Sequence, residues 1–374
     1  FLMFDLTIFF FFLIKYKTFI FFAFYFCFIK IEQLNYKEVK MSRALLRREQ
    51  AISFVKEEFS KALQGELNLI PVSGPLVVLD GTGINDDLNN IERPVKFPIK
   101  SLNDQNAVVV HSLAKWKRIR LKELELETGE GIITDMRALR PDEDYSPIHS
   151  IYVDQWDWEK VIVPADRQLD YLKQTVQSIY HVIKTTEQKV ERKYPALKAI
   201  LPEQITFISS EDLLQKYPTF SPKERENAIC KEYGAVFIYG IGGELSNGEW
   251  HDARAADYDD WSTENSAGFK GLNGDILVWN PVLESAFELS SMGVRVDKKA
   301  LLKQLKIRDS IDRKNLLFHS MLIDDQLTES IGGGIGQSRL CMLLLKMRHI
   351  GEVQTSIWDK EVKEKLKLES IELL

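Results

Sequence analysis

One glycine-rich segment, near the end of the chain, has a composition that is typical of phosphate-binding loops. The run at 332–336 is followed by Gln337, Ser338 and Arg339. A turn into a helix at this point would direct free backbone N–H groups outward, and these favour an anion. The run lacks the GK(S/T) ending of a P-loop and the GxGxxG spacing of a dinucleotide fold. By itself it indicates either close packing of a helix on a sheet or a nucleotide contact.

The segment 136–159 concentrates polar groups that are used in acyl and phosphoryl chemistry. It holds two arginines, six carboxylates, Gln155 and two tryptophans within 24 residues. A charged hairpin exposed to solvent is one interpretation. Against it, Val153, Gln155 and Asp157 fall on one face of a predicted strand, where a glutamine between aspartates would gain little on a simple surface. The segment is therefore a second candidate for a functional site.

Further segments supply cations and carboxylates. HSLAKWKR at 111–118 is basic, and a helix capped by Ser112 with three exposed cations is the alternative to a binding role. The acidic stretch 252–260 and the pair Asp275 and Glu288 suit Mg²⁺, which binds through a few carboxylates plus phosphate oxygens. The six histidines show no metal-ligand spacing, and no Ser-His-Asp or Cys-His arrangement is visible. Together these segments indicate a nucleotide–Mg²⁺ site with several cations that bind carboxylates.

The elements that must position these groups are predicted from apolar spacing. Apolar residues three or four apart predict a helix from Leu45 to Leu63, ended by Gly65, and a second helix over Leu169–Ile183. A third helix follows the glycine run through Leu345. Short apolar runs predict four strands: 107–111, 148–158, 235–239 and 275–279. Because helices segregate from strands and no repeat or long linker is visible, we expect one compact α+β domain with an antiparallel β-sheet flanked by helices.

The composition of the 374 residues is that of a globular protein. Apolar residues make up 45% and charged residues 28%, so a mostly disordered chain is excluded. The net charge of −6 argues against a dominant nucleic-acid surface, and no nucleic-acid partner is expected. The three cysteines (Cys27, Cys230 and Cys341) form no CxxC pair, which argues against a disulfide framework or structural zinc and favours a reducing compartment.

Residues 1–40 differ in composition from the rest of the chain. They hold 12 of the 21 phenylalanines, and 26 of the 40 residues are types that A/T-only codons encode. The apolar runs at 8–14 and 18–29 are shorter than the roughly 18–20 residues that span a bilayer, although a tilted signal anchor is an alternative. We expect a non-native or disordered apolar leader at 1–40, and a cytoplasmic catalytic domain at 41–374 that has no membrane partner.

Six segments, in the same order, resemble the ammonia-dependent asparagine synthetase family, the aspartate–ammonia ligases. They are HSLAKWKR (111–118), ALRPDED (138–144), HSIYVDQWDWE (149–159), DYDDWST (257–263), LNGDILVWNPVLESAFELSSMGVRV (272–296) and GGGIGQSR (332–339). The resemblance covers nearly the whole chain from Met41. It implies a trimmed class II aminoacyl-tRNA synthetase catalytic core that forms a homodimer and lacks an anticodon-binding domain. Within that core, 69–75 resembles the dimer-interface motif, Arg140 the arginine of the second motif and 334–339 the third motif.

The resemblance also implies a reaction and the residues that perform it. L-Aspartate, ATP and ammonia would give L-asparagine, AMP and diphosphate through a β-aspartyl-adenylate, with Mg²⁺ on the phosphates. Asp86 would hold ammonium and accept its proton, while Arg140 would clamp the α-phosphate. Asp86 stands in a further matching segment, GTGINDDL (81–88), and the other expected residues stand in the six segments above. The expected residues are Asp86, Arg140 and Gln155 for catalysis, Ser112, Lys117, Asp157 and Arg295 for substrate binding, Arg140, Ser291 and Arg339 for the nucleotide, and Asp275 and Glu288 for the metal.

Departures from the family pattern are few, and two competing interpretations remain. Asn89-Asn90 stands where relatives commonly have a glycine, and Ala256 stands where a proline is usual. An aspartyl- or asparaginyl-tRNA synthetase would need an appended anticodon module, and the roughly 30 residues between Met41 and the first motif are too few. A non-catalytic paralogue predicts the loss of residues such as Arg140 or Arg339, and neither is lost.

Overall fold

A computed structural model describes residues 42–86, 88 and 92–374. The expected leader at 1–40 and the Asn89-Asn90 departure lie outside the described residues. The chain divides into two compact units, Phe1–Ala51 and Ile52–Leu374. In the first unit the described residues, 42–51, are helical. All elements and sites below belong to the second unit.

The second unit is built on an eight-stranded sheet with a separate three-stranded sheet beside it. The strand order is β1-β5-β6-β11-β10-β9-β8-β7 in the large sheet and β2-β4-β3 in the small one. The strands are β1 (Leu69–Pro71), β2 (Val77–Leu79), β3 (Lys96–Ile99), β4 (Gln105–Val109), β5 (Gly131–Leu139), β6 (Tyr152–Val161), β7 (Thr206–Ser209), β8 (Ala235–Tyr239), β9 (Asn273–Asn280), β10 (Ser285–Val294) and β11 (Ser330–Gly336). The helices are α1 (52–67), α2 (Ala114–Glu123), α3 (Leu169–Lys193), α4 (Ser210–Lys216), α5 (Pro222–Tyr233), α6 (Lys298–Ile307), α7 (Leu317–Ile323), α8 (Gln337–Leu344) and α9 (Lys360–Leu368).

The large sheet is mainly antiparallel, as expected, but it also contains two parallel pairs that were not expected. The six central strands pair antiparallel, whereas β1 pairs parallel with β5 and β7 pairs parallel with β8. Parallel neighbours need a crossover connection. Helices α4 and α5 supply it between β7 and β8, and the small sheet with α2 supplies it between β1 and β5. The fold is therefore mixed α and β with parallel pairs at both edges.

The predicted helices exist, and their ends differ from the predictions. Helix α3 buries its predicted apolar face, including Leu172 and Ile179, but continues to Lys193 because its later residues still bury Val190. Helix α1 runs past Gly65 to residue 67. A glycine in a helix weakens it without ending it, and no atom lies within 4 Å of where a Cβ at Gly65 would be.

The glycine run forms a strand in the middle of the sheet rather than a loop. Strand β11 lies between β6 and β10, and Gly334 pairs with Asp157 on one side and with Ser291 on the other. Gly336, the last residue of β11, pairs with Gln155 before α8 begins. Three neighbouring strands thus bring the residues predicted from three distant segments onto one part of the sheet. No helix in the described part of the chain is long and apolar enough to cross a membrane.

Candidate active site

Two adjoining cavities open on this part of the sheet. Cavity A has a volume of about 260 Å³, and cavity B has a volume of about 220 Å³. Their walls share four residues, which are Arg140, Gln155, Glu288 and Gly334. Cavity A is also lined by six further predicted site residues, which are Asp86, Ser112, Lys117, Asp157, Ser291 and Arg295. Cavity B adds Arg339, whereas Asp275 lines neither cavity.

Asp86 and Ser112 form one corner of cavity A. The carboxylate of Asp86 accepts hydrogen bonds from the Leu88 backbone N–H and the Ser112 hydroxyl, each at 2.9 Å. The His111 ring donates to the backbone carbonyl of Asp86 over 2.9 Å. Ser112 therefore does not cap α2, which begins at Ala114 without a side-chain cap. These contacts fix the position of the Asp86 carboxylate at the wall of the cavity.

Lys117 lies at the floor of cavity A, where it is completely buried. Its ammonium donates to the Asp157 carboxylate at 2.6 Å and to the backbone carbonyls of Trp158 and Gly333 at 3.0 Å each. Burial lowers the pKa of Lys117, and the charge of Asp157 opposes that change. Because an ammonium has three donors, all are occupied, and Lys117 supplies charge and orients Asp157 rather than offering a free N–H. The alternative of exposed cations on this segment is wrong, since Lys115 and Arg118 are buried as well.

Arg295 is held in a buried cluster of carboxylates beside Lys117. Its guanidinium donates to both oxygens of Glu159, at 3.0 and 2.8 Å, and also to Asp259. Burial alone would lower the pKa of Arg295, but Glu159 and Asp259 raise it above its usual value. Within the described residues, Oδ2 of Asp259 is buried without a hydrogen-bond partner, and Asp259 lines cavity A. Sequence reasoning included Asp259 only in the acidic stretch proposed for Mg²⁺ and did not single it out, although it stands in the DYDDWST segment that carried part of the resemblance.

Arg140 and Gln155 stand at the boundary between the two cavities. Arg140 follows β5 directly, and its Nη2 donates to the backbone carbonyl of His111 over 3.2 Å. Its Nε is buried and has no partner in the part of the chain that the structure describes. The amide of Gln155 lies against Gly334, where a Cβ would come within 2.4 Å of the Gln155 Oε1. The boundary therefore carries a guanidinium with a spare donor and a neutral amide.

Arg339 is held inside cavity B by Glu288 and His149, and its Nη1 lies 3.5 Å from the Glu288 carboxylate. Its Nη1 donates to the backbone carbonyl of Glu288 over 3.1 Å, and its Nη2 lies 2.7 Å from Nε2 of His149. Burial, with the nearby charge of Arg339, lowers the pKa of His149 to about 4. Sequence reasoning missed His149, because no spacing rule connects it to an arginine 190 residues later.

The two predicted metal ligands fit a cation only in part. Asp275 and Glu288 lie on neighbouring strands, and Oδ1 of Asp275 is buried with no hydrogen-bond partner among the described residues. Burial raises the pKa of Asp275 to about 7, with the charge of Glu288 adding to it and the guanidinium of Arg254 opposing it. Arg254, which the sequence did not single out, pairs with the other oxygen of Asp275 and lines cavity A. The donor set suits a hard cation that takes one or two carboxylates and completes its shell with phosphate and water oxygens.

The carboxylates of the acidic stretch 252–260 pair with basic side chains, which does not support the Mg²⁺ site expected from its composition. Asp257 accepts from Lys115, Arg313 and His319 at 2.9, 3.0 and 2.9 Å. Asp259 pairs with Arg295 and Asp260 with Arg167. In residues 42–86, 88 and 92–374, no three or more His, Cys, Asp or Glu side chains are grouped so that they could together hold a metal ion. These carboxylates therefore hold the segment in place through buried ion pairs.

Comparison with solved structures shows the class to which the fold belongs. An asparaginyl-tRNA synthetase from Entamoeba histolytica in complex with asparaginyl-adenylate matches with a TM-score of 0.59 at 15% identity, over 83% of this chain and 66% of that one. The asparaginyl-tRNA synthetase from Pyrococcus horikoshii, also complexed with asparaginyl-adenylate, gives 0.57 at 17% identity, over 82% and 68%. The fold is that of a class II aminoacyl-tRNA synthetase catalytic core.

Sequence comparison then shows the family within that class. The model of the family described as aspartate-ammonia ligase matches residues 46–370. An aspartate–ammonia ligase from Parabacteroides distasonis is 56% identical over 330 residues, which are 88% of this chain and 96% of that protein. One from Bacteroides fragilis is 53% identical over 344 residues, or 92% and 99%. The chain belongs to the aspartate–ammonia ligase family and is an enzyme of that family, so the resemblance is confirmed.

Proposed function

We propose that the enzyme makes L-asparagine from L-aspartate, ATP and ammonia, with AMP and diphosphate as the other products. The observation that carries this proposal is the shared wall of the two cavities. Cavity A presents paired charges for an amino acid, cavity B presents Arg339 for a nucleotide, and Arg140 with Gln155 stands between them. A β-carboxylate and an α-phosphate meet at that wall, which is what a β-aspartyl-adenylate requires.

Adenylation is the first step. The β-carboxylate attacks the α-phosphorus in line, and diphosphate leaves. The transition state gathers negative charge on phosphate oxygens, so fixed donors at that point lower its free energy. Arg140 serves as the clamp because a guanidinium can bridge carboxylate and phosphate oxygens in a fixed geometry, and its Nε is a spare donor. Gln155 orients the carboxylate without adding a charge that competes with it.

The amino acid is held by the charged cluster of cavity A. Arg295 attracts its carboxylates, and Lys117 adds positive charge beneath them while it orients Asp157. The α-ammonium fits between Asp157 and Asp259, whose Oδ2 is buried and lacks a partner within the described residues. Ser112 completes the wall next to Asp86. Because ion pairs already hold Lys117 and Arg295 in place, their charges are correctly positioned before the substrate enters.

Aminolysis is the second step, and Asp86 is its base. Ammonia is a nucleophile only when it is neutral, so ammonium must lose a proton beside the mixed anhydride. The carboxylate of Asp86 can bind ammonium and accept that proton. Its hydrogen bonds to Leu88 and Ser112 keep it turned toward the cavity. Attack at the β-carbonyl carbon then releases AMP.

The nucleotide lies in cavity B with its phosphates at the shared wall. Arg339 covers the base and neutralises the outer phosphates, and Ser291 lines the wall of cavity A beside Glu288. Glu288 and Asp275 are the residues that would hold Mg²⁺. When bound, the metal neutralises charge on the phosphate oxygens.

A homodimer belongs to the proposal. Large apolar side chains of strands β1 to β3 and the segment between them are exposed: Ile70 (45%), Leu76 (56%), Val77 (38%), Leu79 (37%) and Phe97 (39%). Apolar residues grouped in this way commonly mark an interface. One of them, Ile70, lies in the segment 69–75, whose sequence resembles a dimer motif. A two-fold interface would cover the same patch on both subunits.

Residues 41–374 are proposed to be sufficient for activity in the cytoplasm. Among the described residues, those that line cavities A and B lie between Asp86 and Gln354. Cys230 and Cys341 are buried free thiols, as expected in a reducing compartment. Expression from Met41 should give a chain with the turnover of the full sequence. A chain without turnover would contradict this part of the proposal.

The sharpest test uses Asp86→Asn, because the two steps depend on it differently. The variant should still exchange radiolabelled diphosphate into ATP when aspartate is present, but asparagine formation should fall about 10²-fold or more. Asp104→Asn, on an exposed loop, is the matched control and should behave like the wild type. If Asp86→Asn lost both diphosphate exchange and asparagine formation, the assignment of Asp86 to the second step alone would be contradicted. ADP as the nucleotide product, or charging of tRNA in place of asparagine formation, would overturn the proposed function itself.

A further inference from the structure

We propose that His149 is a positioning residue that holds Arg339 in the nucleotide cavity by accepting a hydrogen bond on a neutral imidazole ring. This inference rests on the proposed function, since it takes cavity B to be the nucleotide site. Nothing in the sequence pattern or in the family resemblance assigns a role to His149. The contact between the two side chains carries the inference.

The chemistry of the contact decides the form of the ring. Nη2 of Arg339 lies 2.7 Å from Nε2 of His149. A guanidinium has only donors and keeps its charge in proteins, so Nε2 must be the acceptor and carries no proton. The remaining proton is then on Nδ1, which lies 2.8 Å from the Ser146 hydroxyl oxygen and donates to it. Ser146 and His149 are further tied by two reciprocal backbone hydrogen bonds of 3.3 Å.

The surroundings of the ring favour the neutral form. The charged groups that face His149 are Arg339, Arg140, Lys223, Glu288 and Glu143, of which the Glu143 carboxylate is 4.0 Å from Nε2. Burial and Arg339 together outweigh the carboxylates and depress the pKa of His149. The neutral ring with its free acceptor is therefore the form expected near neutral pH.

The arrangement fixes both ends of the Arg339 guanidinium. Nη1 donates to the Glu288 backbone carbonyl and Nη2 donates to His149, so the plane of the group is set from two sides. A long arginine side chain loses considerable freedom when it orders on a ligand. An arginine that is already held in cavity B avoids much of that loss, and ATP binds more tightly. Removal of the imidazole acceptor should therefore weaken ATP binding and leave aspartate binding unchanged.

The test compares His149→Leu with His149→Gln by calorimetric titration with Mg–ATP and, separately, with aspartate. Leucine removes both ring nitrogens, whereas the amide oxygen of glutamine can stand near the position of Nε2. We expect His149→Leu to raise the Kd for ATP about 10-fold to 100-fold, the range for a lost hydrogen bond to a charged group. His149→Gln should stay within about threefold of wild type, and the Kd for aspartate should be unchanged in both.

Two controls separate the possible failures. His181→Leu replaces an exposed histidine of α3 and should leave both affinities at wild-type values. If His149→Leu unfolds, Ser146→Ala provides the second variant, because it frees the ring without altering it and should raise the Kd for ATP severalfold. Unchanged ATP affinity in His149→Leu, or equal losses for ATP and aspartate without rescue by glutamine, would overturn the positioning role. Wild-type enzyme that binds no ATP would instead contradict the proposed function.

Discussion

Most charged side chains of the site form ion pairs with one another in the absence of substrate. Lys117 pairs with Asp157, and Arg295 pairs with Glu159 and Asp259, all of them buried. Removing one member of such a buried pair commonly costs about 3–5 kcal/mol, because the other charge is left uncompensated. Arg140 differs, since within the described residues its guanidinium donates to a backbone carbonyl, that of His111, and not to a carboxylate. It is therefore the cation best placed to take up charge from the reaction.

The first prediction concerns the shape of that cation. Arg140→Lys keeps the charge but loses the forked donors, so kcat/KM should fall about 10²–10³-fold, the usual cost of a lost transition-state donor. Steady-state kinetics with saturating ammonium measures this. Arg137→Lys, near the end of β5, is the matched control, since Arg137 is exposed and pairs with the exposed carboxylate of Asp135 at 3.3 Å. Activity of Arg140→Lys within a few-fold of wild type would count against the clamp.

Sequence reasoning found the residues that stand in recognisable segments and missed those defined by tertiary partners. Asp86, Gln155 and Arg339 were identified by their place in ordered motifs. Asp259 and His149 matter because of what lies opposite them, an arginine 36 residues later in one case and 190 residues later in the other. Local spacing carries no information about such pairs. Asp275 was identified from its motif, but the motif did not reveal that its carboxylate pairs with Arg254.

At the scale of elements, strand β11 shows why a run of glycines lies in the middle of a sheet. Its backbone forms part of the walls of both cavities through Gly333, Gly334 and Gly336. A Cβ at Gly334 would meet the end of the Gln155 side chain at 2.4 Å. At Gly333 it would meet the Cβ of Met292 at 2.5 Å and the backbone of Ser291 at 2.8 Å. The clash at Gly334 is relieved when the flexible amide of Gln155 moves. The clash at Gly333 requires a shift of the neighbouring strand β10.

The second prediction follows from that difference. Gly334→Ala should fold with a melting temperature close to wild type, because the flexible end of Gln155 can give way. Turnover should fall about 10²-fold, since a misplacement of roughly 1 Å at a positioned group can cost that much. Calorimetry and kinetics on the same preparation test both statements. Gly65→Ala, where no atom lies within 4 Å of the new Cβ, should keep full activity with equal or higher stability.

A second element-scale feature is the buried carboxylate of Asp257, which joins three parts of the chain. It accepts from Lys115 of α2, His319 of α7 and Arg313 of the short 3₁₀ segment Ile311–Asn315. The neighbouring residues Tyr258 and Asp259 line cavity A. Asp257 therefore fixes the strip of chain that closes one side of the cavity, and its loss should be felt first as instability.

The third prediction gives the pH dependence of that contribution. Burial would raise the pKa of Asp257, but Lys115, His319 and Arg313 hold it well below its usual value. The stabilisation is thus complete above about pH 4, near the unfolded pKa, and declines as the pH falls further. Asp257→Asn should lower the free energy of unfolding by about 3–5 kcal/mol at pH 7, with a smaller difference at pH 3. Urea unfolding at both values measures this.

The control for that experiment is Asp325→Asn. Asp325 is 82% exposed and lies 3.9 Å from Lys298, so its removal should leave the free energy of unfolding almost unchanged at either pH. A constant difference between wild type and Asp257→Asn at both values would show that the charge of Asp257 is not what stabilises the segment.

At the scale of the whole molecule, the apolar runs predicted three of the six central strands, β6, β8 and β9, whereas β5, β10, β11 and both edge strands escaped prediction. Strand β8 lies where its apolar run was read, at Ala235–Tyr239, and β9 extends the predicted run at both ends. Strands β1 and β7 have three and four residues, too few for a pattern to show their direction. Their parallel pairing depends on where the intervening chain returns, which no local preference decides.

The fourth prediction tests the assembly. Leu76→Glu places a charge at the most exposed member of the apolar group on β1 to β3, at 56% exposure. If the patch is a two-fold interface, each subunit contributes one buried glutamate to it, which should prevent association. Light scattering should then show a monomer for the variant and a dimer for the wild type. Ile357→Glu, at 71% exposure elsewhere on the surface, should not change the mass. A wild-type protein that is monomeric at micromolar concentration would contradict the homodimer.

The wall that cavities A and B share also determines how the enzyme can be inhibited. Two separate ligands, one in each cavity, would each lose translational and rotational freedom on binding, whereas one molecule that crosses the wall loses it once. Joining two such groups commonly raises affinity by about 10²–10⁴ over either alone, provided that the linker fits the span. Because Arg140, Gln155 and Glu288 face both cavities, the required span is close to zero. A non-hydrolysable compound with an aspartyl head joined directly to adenosine should therefore outcompete either substrate, and lengthening the junction by a few atoms should abolish the gain.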